Sequence, residues 1–323
     1  MKAVVTDLMA GPAATMWQYV ERVDRRVPVT PAATVEWVAV AHGARLSARL
    51  LANVRQPTAD SNFARLDEIY PFDSVAVFTR GYLSASLEHL LFWADYAAPL
   101  KFHPEQEANF ALRPAYTLAR AALEAAAPAV WLMNADGPRE CLRRYLSLVR
   151  WDLRMHAKST PDTARKAEIE AQEAELLSRV VAEFTPKEIA PPAGYEAVIK
   201  AACAHNDVTL DPIDAAWIWR AASGSAHGMP WAATDLQEWI TDPHLADPSP
   251  IRVPDVNRMA EALRAAWTVT SYGCLKFAAF SGGDLKALTS EARTWLASVV
   301  PLKPDADPDA LAELREASGD TAS

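Results

Sequence analysis

The segment 211–230, DPIDAAWIWRAASGSAHGMP, constrains the fold of this chain more than any other. Asp211 is a good N-cap, Pro212 suits the first helical position, and Asp214 suits the positive end of a helix dipole. Gly228 and Pro230 supply a stop. The spacing predicts a helix over about 212–227, with Ile213, Trp217, Arg220, Gly224 and His227 along one stripe. The other faces carry Ile218, Trp219, Ala221, Ala222, Ser225 and Ala226, so there is no long charged side. Such a helix is expected to be central and buried. An Arg and a His on it then need partners, or a task.

The chain has 323 residues, 50% of them hydrophobic, enough for a core in one large domain or two small ones. Ala-rich stretches with Leu, Trp, Arg and Glu favour helix. No period-2 strand stands out, because β-branched pairs such as Val4-Val5 and Val180-Val181 are short and isolated. The expected fold is therefore an all-α multi-helix bundle, with helices near 13–25, 31–55, 74–97, 104–134, 138–158, 162–184, 195–206, 212–227, 255–280 and 284–299. The stretches 55–73 and 241–255 read as proline-containing loops, and Gly282-Gly283 as a turn. The proline cluster at 186–192 is the clearest internal break. The helix at 212–227 needs neighbours from both sides, so 1–300 is expected to be a single domain, with 186–192 as the place for any sub-division. Residues 301–323 are acidic and poor in apolar side chains, which predicts a mobile tail.

A formal net charge of −9 argues against broad, non-specific nucleic-acid binding but leaves room for one local basic groove. Cys141, Cys203 and Cys274 are far apart, form no C-x-x-C and sit in helical contexts, so neither a disulfide framework nor a zinc site is expected. Asp7 interrupts the N-terminal segment, and no run of about 18 apolar residues occurs. The expectation is a soluble cytoplasmic protein with no membrane partner. Glu-x-x-His, the P-loop, G-x-G-x-x-G and G-x-S-x-G are all missing, so no cofactor and no metal are expected.

A second polar stripe lies on the helix at 104–134. Arg113, Thr117, Arg120 and Glu124 run beside the apolar line Leu112, Tyr116, Ala119, Leu123 and Val130. The economical expectation is that it meets Arg220, Ser223 and His227 in an Arg/Glu/His/Ser cluster between helices. Two readings of that cluster stand open. A buried Arg–Glu pair with a hydrogen-bonded His can fix helix register alone. Alternatively, guanidinium groups grip phosphate and an imidazole moves a proton near neutrality. Nearby, Arg139, Arg143, Arg144, Arg150, Arg154 and Lys158 make the helix at 138–158 basic, with Tyr145 and Trp151 available for stacking. Glu168, Glu170, Glu173 and Glu175 on the next helix offer those cations partners within an antiparallel hairpin. Trp217, Trp219, Trp231 and Trp239 read mainly as core residues. The alternative is that some of them line a pocket for an aromatic or small apolar ligand.

Arg220 to His227, RAASGSAH, is Arg, six residues, His near the end of a helix. The segment resembles the signature of HEPN proteins, helical bundles many of which are metal-independent ribonucleases in toxin–antitoxin and antiphage systems. Ser223 to Gly228, S-x-x-x-H-G, is also similar to helical bacterial proteins grouped near that family. The resemblance implies a role in defence or stress response, RNA as substrate, an antitoxin or defence protein as partner, and a homodimer with a shared cleft. It implies that Arg220 holds the scissile phosphate and that His227 transfers a proton at the ribose 2′-hydroxyl, giving a cyclic phosphate. Arg113, Arg120, Glu124 and Ser223 would support them. The alternative is a non-catalytic interaction or scaffold protein with a structural Arg/Glu/His network.

Overall fold

The computed structural model describes residues 31–98, 112–240 and 251–300. Among them eleven helices pack on one another, with one short two-stranded ladder. The order is α1 (Pro31–Asn53), α2 (Asn62–Ile69), α3 (Val75–Ala97), α4 (Leu112–Met133), α5 (Pro138–Ser159), α6 (Thr163–Val180), α7 (Tyr195–Cys203), α8 (Pro212–Ala226), α9 (Pro230–Leu236), β1 (Gln237–Ile240), β2 (Ile251–Pro254), α10 (Val256–Phe280) and α11 (Leu285–Val299). The expected all-α multi-helix bundle is what forms. The expected helix at 13–25, the start of the expected helix at 104–111 and the expected acidic tail at 301–323 lie outside the described residues.

Four long helices make the core: α4 lies between α3 and α10, and α1 closes the ring against the same two. Small side chains permit the closest of these contacts. Ala119, Ala122 and Ala126 of α4 and Ala262, Ala265 and Ala266 of α10 are all buried. At Gly273 of α10 a β-carbon would stand 2.7 Å from Leu83 Cδ2 and 3.1 Å from Val130 Cγ2, so glycine lets α10 settle between α3 and α4. One buried polar contact crosses this seam, Ser86 Oγ to Thr270 Oγ1 at 2.7 Å, and the Thr270 hydroxyl also donates to the Ala266 carbonyl. Buried, saturated hydroxyls of this kind fix register without leaving an orphaned group.

The apolar interior has two ends. Trp37, Leu90, Tyr116 and Leu263 belong to one, and Leu51, Leu83, Met133 and Phe277 to the other. Residue order within each helix therefore gives its direction. The long helices α1, α3 and α4 alternate in direction, whereas α10 runs parallel to both α1 and α4.

Three findings depart from the sequence expectations. Residues 55–73 contain α2, capped by the Ser61 hydroxyl accepting from the Ala64 N–H, with Phe63 and Leu66 buried. Eight residues between two prolines carry too short a period to be read as a helix. Part of the proline-rich stretch 241–255 forms β2, paired antiparallel to β1 with Gln237 opposite Pro254 and Ile240 opposite Ile251. The centre of the bundle is held by α4 and α10. The 212–227 segment is buried along one side, while Ile213 at its start is 74% exposed. Its small residues let it lie close on α4 and α7 without being surrounded.

The proline break at 186–192 is tied back to the bundle. Arg150, 3% exposed, donates to the Pro186 and Ile189 carbonyls and to Glu173 of α6.

Candidate functional site

The ends of α8 form as the sequence dictates. The Asp211 carboxylate accepts from the Ile213 and Asp214 N–H groups. At the other end His227 is the C-cap, Gly228 takes the left-handed conformation (φ 71°), and the Met229 N–H reaches back to the Gly224 carbonyl at 2.8 Å. That is the glycine-terminated helix stop. It turns the chain into α9, whose Trp231 ring lies on Gly224; a β-carbon there would sit 2.6 Å from Trp231 Cζ2. The buried face of α8, with Ala215, Ile218, Ala222 and Ser225, leaves Arg220 and His227 on the open side.

Two polar clusters occupy this surface. In the first, His227 Nε2 is 3.4 Å from Arg120 Nη1 of α4. Arg120 Nε donates to Glu124 Oε1 at 2.8 Å, and Trp219 Nε1 donates to the same oxygen at 2.7 Å. The Arg120 and Glu124 side chains are 25% and 17% exposed, so the pair is shielded on one side and open beside His227. In the second, Arg220 grips Glu196 of α7 through two parallel bonds, Nε to Oε2 at 3.0 Å and Nη2 to Oε1 at 2.5 Å. Lys200 adds a third contact to Glu196 at 2.8 Å. Hydrogen bonds from Arg220 first, then from Lys200, hold the Glu196 carboxyl down at about 2.

Of the residues singled out from the sequence, the structure joins Arg120 and Glu124 to His227, with Trp219 as the fourth member. Arg220 joins Glu196 instead. Arg220 and His227 are about 10 Å apart along the helix axis at 1.5 Å per residue. Ser223 is half-buried, and its carbonyl accepts the His227 N–H. Arg113 is exposed at the start of α4, where its carbonyl accepts from the Thr117 hydroxyl.

Sequence reasoning missed Glu196, Lys200 and Tyr195. Glu196 and Lys200 are an ordinary i,i+4 pair, and nothing local announces that Arg220 closes on them. Tyr195, the first residue of α7, is 41% exposed, with its ring centroid 4.7 Å from that of Trp151. Burial pushes its hydroxyl pKa up, and the charges of Glu124 and Asp152 add to this while Arg120 opposes it.

The arginines of the basic helix α5 are engaged within the protein. Arg143 and Arg144 both bond Glu140, Arg150 and Arg154 both bond Glu173, and Arg139 donates to the Glu183 carbonyl. Tyr145, one of the two aromatic residues available for stacking, is 1% exposed and donates to Asp73. The pairing expected within the hairpin forms through Glu173, whereas Glu168, Glu170 and Glu175 pair within α6 itself.

Among the described residues no group of three or more His, Cys, Asp or Glu is placed to hold a metal ion, and no helix is long and apolar enough to cross a membrane. The three cysteines are buried thiols. No protein-family model, curated protein or solved structure matches the chain. The chemistry at hand is an exposed imidazole with an adjacent guanidinium, and a second guanidinium already paired to a carboxylate.

Proposed function

We propose that the chain is a HEPN-like helical protein whose α4–α8 surface engages RNA and cleaves it without a metal, in defence or stress response. The observation that carries this is the open imidazole of His227 with a guanidinium nitrogen of Arg120 at 3.4 Å. An anion-gripping group beside a proton-transfer group is what phosphodiester transesterification needs. In that scheme His227 takes the 2′-hydroxyl proton and the freed oxygen attacks phosphorus. The P–O5′ bond breaks, the 5′-oxygen takes a proton from water, His227 returns its proton to the solvent, and a cyclic phosphate remains. Arg120 steadies the phosphoryl oxygens. Arg220, the family-type arginine, contributes only if phosphate displaces Glu196. A second copy of the chain across the cleft, and an antitoxin or defence protein, are the partners that go with this reading.

A second reading has its own observation. The bidentate Arg220–Glu196 pair and the shared Glu124 oxygen clamp α8 to α7 and α4, which suits a non-catalytic interaction or scaffold protein. One experiment separates the two. Purified protein is incubated with RNA in EDTA, beside His227→Ala. Metal-independent cleavage that falls by about 10²–10⁴-fold in the variant, with its melting temperature kept, supports the nuclease. No cleavage by the unmodified protein favours the scaffold. Light scattering that gives a single-chain mass removes the shared cleft.

A further inference from the structure

We infer that the depression between α10 and α11 is the seat of the chain's own acidic tail, with Leu311 and Leu314 on its apolar floor and tail carboxylates at Arg293.

The depression follows from how α11 is attached. α11 packs chiefly on α1 and meets α10 sparingly, so a trough of about 250 Å³ stays open between α10 and α11. Leu46 and Leu50 of α1 form its floor, Trp267 and Leu275 of α10 one wall, and Ala292 and Arg293 of α11 the other. Trp267 lies low against α1 because glycine stands opposite it; a β-carbon at Gly43 would be 2.4 Å from the ring. Leu275 is 41% exposed. Arg293 is exposed and has no carboxylate partner among the described residues, unlike the paired arginines of α5. An apolar trough with a free cation at its rim fits an amphipathic segment of net negative charge.

The tail has that chemistry. Residues 301–323 carry six acidic side chains against Lys303 and Arg315. Within them Asp307-Pro308 repeats the Asp211-Pro212 start of α8, and Leu311 and Leu314 follow at i,i+3 on one side, flanked by Ala310 and Ala317. A helix of about ten residues does not persist alone in water, so its leucines need a surface.

The point of attachment selects which surface. The chain leaves the described bundle at Val300, the C-cap of the helix that forms one wall of the trough. Arg293 lies about 10 Å back along α11. Residues 301–307, with Pro301 and Pro304, reach about 20 Å when extended. The tether holds the leucines near the trough at about millimolar effective concentration, ahead of a free partner with the same pattern. A seated tail would also add a layer over α11, whose one fully buried side chain is Ala292.

Paramagnetic broadening in the full chain tests this. A nitroxide is attached at Ala317→Cys; Cys141, Cys203 and Cys274 are buried and stay unlabelled. The backbone amide signals of Leu46, Ser271 and Leu275 at the trough should lose intensity, and those of Ala122 and Ala126 in the α4 core should not. Leu311→Ser with Leu314→Ser should abolish the loss, and Arg293→Glu or high salt should reduce it. These substitutions leave the buried core untouched. In the leucine variant without the nitroxide, thiol labelling of Cys274, which lines the trough, should speed up about fivefold while Cys141 and Cys203 keep their rates. No loss at the trough, or a loss that survives removal of the leucines, overturns the inference. So does an equal loss in isotope-labelled, nitroxide-free chains mixed with spin-labelled ones, because the occupant is then the tail of a second copy.

Discussion

Arg120 and His227 are 107 residues apart in the chain, and Arg120 Nη1 stands 3.4 Å from His227 Nε2. The contact depends on Glu124, one turn along α4, whose Oε1 anchors both Arg120 and Trp219. One carboxylate oxygen thus sets the position of the guanidinium and docks the helix that carries the imidazole.

That double use makes Glu124 and Trp219 energetically coupled. Glu124→Gln should cost about 1–3 kcal/mol, because a half-buried indole N–H and a guanidinium lose a charged acceptor. Trp219→Phe should cost about 1 kcal/mol for the hydrogen bond. Urea denaturation of both variants and of the double variant gives a cycle in which the double loss is smaller than the sum. Strict additivity would show that the shared oxygen links nothing.

The acid limb of stability should carry two signatures. The Glu196 carboxyl is held at about 2 by Arg220 and Lys200, and the Glu140 carboxyl at about 2 by Arg143 and Arg144. A carboxyl whose folded value is depressed stabilises the fold fully above its ordinary value of 4.5 and loses that contribution as pH falls toward about 2. Carboxyl carbon NMR titration should place both midpoints well below 4.5. Arg220→Gln should move the Glu196 midpoint upward and leave that of Glu140 where it is.

Helix α11 is lightly secured to the described bundle. Ala292 is its one fully buried side chain, and two open surface depressions of about 540 and 250 Å³ flank it. Cys274 lines the smaller of these together with Thr289, Ala292 and Arg293. Burial pushes the Cys274 thiol up to about 12, as it does those of Cys141 and Cys203, so reaction with a thiol reagent requires opening. The Asp284 side chain caps α11 by accepting from the Lys286 and Ala287 N–H groups. Asp284→Ala should speed labelling of Cys274 about fivefold and leave Cys141 and Cys203 unchanged, as read by mass spectrometry. Equal acceleration at all three cysteines would mean that the whole bundle opens together.

Gly273 should tolerate no side chain without cost. A β-carbon there meets Leu83 and Val130 at 2.7 and 3.1 Å, and both neighbours are buried. Gly273→Ala should cost about 1–3 kcal/mol through overpacking, despite the gain in helix propensity. Thermal melts check this, and Leu83→Ala in the same chain should recover part of the loss.

Most of the fold was legible because long helices repeat their apolar period many times. The Ala-rich runs of α4 and α10, the caps at Asp211, Asp255 and Asp284, and the glycine stop after His227 all announce themselves locally. What was not legible is either short or non-local. α2 has a single turn's worth of buried residues, Phe63 and Leu66, and β2 gains its identity only from β1. The site divides the same way. The residue types on α4 and α8 pointed to Arg120, Glu124 and His227 as neighbours. Whether Arg220 would face His227's partners or Glu196 depends on where α7 lies, and no spacing within α8 encodes that.

The parallel placement of α10 has a consequence for synthesis. Ser86 and Thr270, which meet in the α3–α10 seam, are 184 residues apart. At 5–20 residues per second, a ribosome takes roughly 10–40 s to supply the second after the first. Throughout that interval the faces of α3 and α4 that α10 covers in the finished bundle lack that partner.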